Sequence, residues 1–265
     1  MNRVVPALIL AASWLLLLLF GGRVIFSLLL AGMALMAAFE YVRMMDDSGS
    51  KWVRFFLMPL LILPVLGAVI TQEVSGLLAG LIVSFMLLTF LVLLGYNKLG
   101  NVFILYSRAA FGLVYVGCLF AFLPMIYLLP DGNLWLIVLT AITSGSDTGA
   151  YMVGSKFGKH KLCPHISPKK TVEGVLGGLV FGALFAFFFS MFVLPDRLWM
   201  ASCSAVLFSA VGMTGDLVES VVKRAFDIKD SGTILAGHGG VLDRMDSLIF
   251  VAPWFYYFLI VCPGR

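Results

Sequence analysis

Residues 220–246 read SVVKRAFDIKDSGTILAGHGGVLDRMD, a polar stretch between two hydrophobic segments, 199–222 and 246–262, each long enough to cross a bilayer. It holds four basic residues (Lys223, Arg224, Lys229, Arg244), four acidic ones (Asp227, Asp230, Asp243, Asp246), and His238 surrounded by Gly237, Gly239 and Gly240. In a chain that is only 12% charged, a quarter of the charges fall here. Charges of both signs beside glycines that expose backbone N–H groups suit a metal-bound polyphosphate. Their position at a membrane surface points to a lipid as the other substrate.

Working outward, the 265-residue chain as a whole is 61% hydrophobic with a mean hydropathy of +1.04, more apolar surface than a soluble domain could hide. Nine segments are candidates for transmembrane helices: 5–20, 24–42, 55–71, 75–95, 102–129, 133–152, 172–194, 199–222 and 246–262. The expected fold is therefore an all-α, polytopic integral membrane protein of about nine transmembrane helices. The first segment lacks a clear small-residue cleavage site and reads as a retained span. The fifth is over-long and contains Arg108, so it is expected to be kinked or to begin with an interfacial piece. With the N-terminus in the cytoplasm, fourteen of the 18 basic residues fall on the cytoplasmic side and three (Arg23, Arg197, Arg265) on the other. That orientation puts both long polar loops, 153–171 and 223–245, in the cytoplasm, where nucleotides are. The positive net charge is mostly this topology signal, and no nucleic-acid partner is expected.

Residues 1–130 read as a scaffold, with Glu40 to Arg54 forming one of its connecting loops. Residues 131–265 read as the catalytic region, because Asp147, Glu173, Asp216, Glu219 and Asp246 all lie in or at the ends of its hydrophobic segments. Carboxylates at membrane depth are costly and face polar cavities. Asp216, Glu219, Ser220 and Lys223 follow the spacing i, i+3, i+4, i+7 and share one helix face. A simple Glu219–Lys223 pair explains two of them but not Asp216, a turn deeper. Asp243 and Asp246, spaced i, i+3, could serve as helix N-caps. With Asp216 from the neighbouring span they form a better set for a hard cation such as magnesium. The loop 154–174, GSKFGKHKLCPHISPKKTVEG, carries five lysines and no acid before Glu173. It could be a topology anchor or a headgroup-binding loop. Ser167-Pro168 and Thr171 are also helix-start signals, and a helix N-terminus beside Lys169 and Lys170 is a ready phosphate site. Gly174, Gly178 and Gly182 form a small-residue packing face. No P-loop, HExxH or GxSxG is present.

The run Ser220-x-x-Lys223-Arg224, Lys229-Asp230-x-Gly232, and His238-Gly239-Gly240-x-x-Asp243-Arg244-x-Asp246 closely resembles the signature of phosphatidate cytidylyltransferases, or CDP-diacylglycerol synthases. Ser146-Asp147-Thr148-x-Ala150-Tyr151 and Ser167-Pro168-Lys169-Lys170-Thr171-x-Glu173-Gly174 resemble that family too. One departure is Ala236, where the family usually has proline. The resemblance implies condensation of CTP with phosphatidic acid to give CDP-diacylglycerol and pyrophosphate. The cofactor implied is magnesium or another divalent ion, with room for a second cation, and the partners are CTP and phosphatidic acid in the bilayer. A homodimer is one admissible assembly, and the bacterial inner membrane is the expected location. On that reading Asp216, Asp243 and Asp246 bind metal, with Asp147, Glu173 and Glu219 as weaker candidates. Ser220, Lys223 and Arg224 join Asp243 and Asp246 as catalytic residues, and Lys169, Lys170, Thr171, His238, Gly239, Gly240 and Arg244 contact substrate. The main alternatives are a CTP-dependent polyprenol-type lipid kinase, which would release CDP, and a transporter, which would more typically pair broken spans in two halves. The spans six to nine should wall a polar cavity, with Asp216 about 10 Å deeper than Lys223 along its helix.

Overall fold

The computed structural model describes residues 4–45, 51–96, 101–232 and 239–262. Ten α-helices account for nearly all of it: α1 (Val4–Phe20), α2 (Gly22–Met45), α3 (Lys51–Thr71), α4 (Val74–Gly95), α5 (Val102–Gly112), α6 (Leu119–Leu128), α7 (Gly132–Phe157), α8 (Val172–Val193), α9 (Leu198–Ala225) and α10 (Leu242–Val261). Helices are the natural outcome of these sequences in lipid, because each satisfies its own backbone groups where no water can. Large apolar side chains such as Phe20, Val24, Phe90, Leu184 and Trp254 are exposed on the outside, as a surface solvated by acyl chains requires.

Seven helices among the described residues are long and apolar enough to cross a membrane: α2, α3 from Arg54, α4, the rod Val102–Leu128, α8, Pro195–Ala225 and α10. The chain is thus a helical, multi-pass membrane protein. The remaining two expected spans fall short of that measure: α1 offers the shorter apolar stretch Ile9–Phe20, and α7 carries the polar run Ser144–Thr148. The over-long fifth segment is one continuous rod in which Leu113–Cys118, between α5 and α6, is π-helical. Arg108 in this rod donates to the Met45 carbonyl at 3.1 Å and lies 5.0 Å from the Phe226 ring, tying α5 to the ends of α2 and α9.

The polar loops are shorter than expected, since α7 continues to Phe157, α9 to Ala225, and α10 begins at Leu242. Residues 161–171 also depart from expectation. Strands β1 (Lys161–Cys163) and β2 (Ser167–Thr171) pair antiparallel, with Lys161 opposite Thr171 and Cys163 opposite Ser167. Ser167-Pro168 therefore begins a strand, not a helix; proline is tolerated because a two-stranded ribbon has open edges. Thr171 alone fulfils the helix-start reading: its Oγ1 accepts the Gly174 N–H at 3.1 Å at the head of α8.

At their glycines, helices α7 and α8 pack backbone against backbone. A Cβ at Gly149 would lie 2.5 Å from the Gly177 carbonyl oxygen, one at Gly174 2.9 Å from that of Ala150, and one at Gly178 3.0 Å from that of Ser146. The glycine face of α8 thus lets the α7 and α8 backbones approach, and admits the Met213 and Ser209 side chains of α9, where lipid offers no hydrophobic drive for association. Gly177→Val should lower the unfolding temperature of the detergent-solubilised protein, at about 1–3 kcal/mol for an overpacked contact. Leu176→Ala, on the exposed face beside it, should change it little; differential scanning fluorimetry of both variants checks this.

Candidate functional site

The tight α7–α8–α9 packing, with α10 against α9, brings three carboxylates to one place. Asp216 and Glu219 lie on one face of α9, and Asp246 lies in the second turn of α10. One ligand oxygen from each comes within 4.8 Å of the others. Asp216 is half-buried, whereas Glu219 and Asp246 are 1% and 8% exposed. Glu219 Oε2 accepts from Lys223 Nζ at 2.6 Å, but its buried Oε1 has no hydrogen-bond partner among the described residues. Asp246 Oδ1 accepts the N–H of its neighbour Ser247 at 2.7 Å.

Asp243, expected as a ligand alongside Asp246, has a different environment. Its Oδ1 accepts from Lys223 Nζ at 2.7 Å, and its Oδ2 accepts the N–H groups of Ser231 at 3.0 Å and Gly240 at 2.8 Å. Both oxygens are engaged, and Glu219 stands in the acidic group in its place. The physical reason is where α10 starts. Asp243 is in the first turn and reaches back to orphan N–H groups of the preceding loop, while Asp246 is a turn further into the bundle. Lys223, between Glu219 and Asp243, cross-links α9 to α10.

The basic residues divide similarly. Lys170, on β2, forms an ion pair with Asp216, its Nζ 2.7 Å from Oδ2. Lys169 is exposed beside it. Arg224 is exposed and donates to the Ile228 carbonyl at 3.1 Å; Arg244 is exposed on the first turn of α10, and Ser220 is half-buried next to Glu219. Asp147 lies on α7 within electrostatic reach of Asp216, Asp246, Lys170 and Arg244. Glu173 is not brought to the acidic group. Its carboxylate accepts the backbone N–H groups of Lys159 and His160 and meets His160 Nδ1 at 2.6 Å, clamping the base of the hairpin. Thr171 is buried and occupied as a helix cap. Gly239 adopts φ +83, a left-handed conformation that glycine takes without strain, and Gly240 donates to Asp243. His238 lies outside the described residues.

Two residues escaped sequence reasoning. Tyr115, in the π-helical segment, is 2% exposed, its hydroxyl has no partner among the described residues, and it lies within electrostatic reach of Glu219, Asp246 and Asp216. π-helical turns recur at functional sites, and the excess length of the fifth segment was the only sign of one. Glu40 is not in a loop but inside α2, 1% exposed, with its carboxylate against the loop before α10.

Around the acidic group, four carboxylates (Asp216, Glu219, Asp243, Asp246) face two ammonium groups (Lys170, Lys223), a formal surplus of two negative charges in a largely buried place. Uncompensated charge of that kind is strongly unfavourable. An all-oxygen donor set with an orphaned carboxylate oxygen suits a hard divalent cation, which also leaves coordination positions for phosphate oxygens.

A family profile described as "Cytidylyltransferase family" matches residues 1–262. The chain is similar to the phosphatidate cytidylyltransferase of Bacillus subtilis, with 35% identity over 95% of this chain and 94% of that protein. It is also similar to the phosphatidate cytidylyltransferase of Staphylococcus saprophyticus, with 36% identity over 97% of this chain and 98% of that protein.

The two carboxylate environments should respond oppositely to neutralisation. Asp243→Asn leaves Lys223 with Glu219 as partner but weakens the acceptor of the Lys223, Ser231 and Gly240 donors, and should destabilise the apo protein by about 1–3 kcal/mol. Asp246→Asn relieves the charge surplus without removing a partner of Lys223, so its apo melting temperature should equal or exceed that of the native chain, while the rise produced by magnesium is lost. Melting curves with and without the ion distinguish the two.

Proposed function

The chain belongs to the cytidylyltransferase family, and on that premise we propose that it is a phosphatidate cytidylyltransferase, a membrane nucleotidyltransferase that condenses CTP with phosphatidic acid to CDP-diacylglycerol and pyrophosphate. The observation that carries the site assignment is the buried group Asp216, Glu219 and Asp246 with a lysine at its mouth. An oxygen of the lipid phosphate attacks the α-phosphorus of CTP, the bond from that phosphorus to the β-phosphate bridge breaks, and pyrophosphate leaves. The attacking phosphate is already an anion, so the reaction needs no general base. The difficulty lies in bringing two polyanions together and aligning them.

Asp216, Glu219 and Asp246 would hold magnesium or another divalent ion, with Asp147 beside them for a second cation. When bound, the metal supplies neutralisation of phosphate charge and polarisation of the P–O bonds. Lys170 donates to a phosphate oxygen with the protons it does not commit to Asp216. Lys169, Arg224 and Arg244, at the exposed rim, draw in the triphosphate, and Ser220 orients an oxygen. Tyr115 offers a hydroxyl from below. Lys223 and Asp243 hold α9 and α10 in register. The gradient from exposed rim to buried carboxylates matches one soluble and one membrane-bound substrate, with phosphatidate entering from the bilayer between the spans. The distribution of basic residues supports an orientation with the N-terminus and both polar loops in the cytoplasm, and the bacterial inner membrane is the location proposed.

Purified protein given CTP labelled in the cytosine ring, magnesium and phosphatidic acid should yield a labelled CDP-lipid and unlabelled pyrophosphate. Release of labelled CDP with a phosphorylated lipid alcohol would establish a kinase instead. Glu219→Gln and Asp246→Asn should each lower kcat by about a hundredfold or more, given that a catalytic metal supplies several kcal/mol of transition-state stabilisation. Near-native turnover of either variant at limiting magnesium would remove that residue from the metal site.

A further inference from the structure

The glycine-rich loop before α10 has the makings of an anion seat: backbone N–H groups at a helix N-terminus beside residues without side chains. The structure fills that seat from within. Glu40, on α2 in the scaffold half of the chain, accepts the Val241 N–H on Oε1 at 2.9 Å. Its Oε2 accepts the Leu242 N–H at 2.9 Å and the Ser231 hydroxyl at 3.2 Å. Glu40 is 1% exposed and Ser231 5%. The glycines are shaped around this carboxylate: a Cβ at Gly232 would lie 2.6 Å from Glu40 Oε1, and one at Gly240 would strike both Ser231 Oγ and Glu40 Oε2. Among the described residues every partner of the carboxylate is a donor, and both oxygens are used.

We infer that Glu40 is a positioning residue, an internal anion that occupies the phosphate-like seat at the head of α10 and fixes the helix rotation that aims Asp246 into the acidic group. Two consequences distinguish this from a merely buried acid. The substrate triphosphate is not held by the Val241 and Leu242 N–H groups, because a protein carboxylate already takes them. The scaffold half also has a direct hold on the catalytic geometry, through bonds spanning about two hundred residues of sequence.

The inference rests on the activity proposed above, and the test separates the two: if the native protein makes no CDP-lipid, that activity fails, whereas the variants below judge Glu40 alone. Glu40→Gln keeps the shape but must present an NH₂ to at least one N–H donor, whichever way the amide turns. In the full-length protein in mixed micelles, Glu40→Gln should lower kcat by about tenfold or more, the equivalent of one unmet buried hydrogen bond. KM for CTP should stay within about twofold, since the seat is not a substrate site, and the magnesium concentration for half-maximal activity should rise by about tenfold as Asp246 loses its aim. Gly240→Ala pushes on the same carboxylate from the other side and should give the same pattern; if Glu40→Gln does not fold, it decides the matter alone. The double variant should lose less than the product of the two losses, because both disturb one contact. The inference is overturned if kcat falls by less than about twofold, if KM for CTP changes while kcat and magnesium dependence do not, or if the two losses multiply.

Discussion

One ammonium group sets the geometry of the site. Lys223 Nζ lies 2.6 Å from Glu219 and 2.7 Å from Asp243, so a single point charge joins the end of α9 to the start of α10. Lysine suits this better than arginine, because a compact ammonium can face two carboxylates on different helices without imposing a planar fork. The pairing costs desolvation of three charged groups, which only close contacts on both sides offset. Among the described residues it also leaves one oxygen of Glu219 without a partner, so the surplus negative charge is shared by the group Asp216, Glu219 and Asp246, where a cation could meet it.

The bilayer explains why such a site needs so many glycines. Between lipid-solvated helices there is little gain from burying leucine, so close approach must come from small residues whose backbones can touch. Gly149, Gly174, Gly177 and Gly178 do this for α7 and α8, and Gly215 does it for α9 against Asp246 and Phe250 of α10. The last contact bears on the chemistry. A side chain at 215 would push α10 away from α9, and with it Asp246 from Asp216 and Glu219. Packing and ligand geometry are therefore one constraint at this crossing.

The helical membrane fold was legible because hydropathy in long runs has few other physical solutions, and the expected segments coincide with observed helices to within a few residues. α7 shows where the signal weakens: the polar residues it brings to the site lower its hydropathy below that of its neighbours. Asp216 and Glu219 were legible as one face of a helix, and Asp246 as a deeper carboxylate on the next span. For Asp243, i, i+3 spacing fixes a face shared with Asp246 but not where the helix begins, and its position in the first turn makes it a partner for loop N–H groups as well. Ser167-Pro168 misled because serine–proline opens a helix or an edge strand equally well. Glu40 and Tyr115 gave no usable local signal. Each is one polar residue in an apolar run, and its partners are brought to it only by the tertiary fold.

Glutamate rather than substrate at the head of α10 changes how charge is distributed over the reaction. A phosphate bound there would sit on neutral backbone donors. With an internal carboxylate in that seat, the exposed cations Lys169, Arg224 and Arg244, and behind them the half-buried Lys170, are on the proposed activity the places where substrate anions would gain charge–charge stabilisation. Polyanions would then be met first by solvated side chains and would reach the buried carboxylates in company with metal. That order suits a site at a membrane surface. Fixed negative charge deep in the bundle would repel a free triphosphate, so the buried carboxylates favour approach of the metal-bound nucleotide over the bare one.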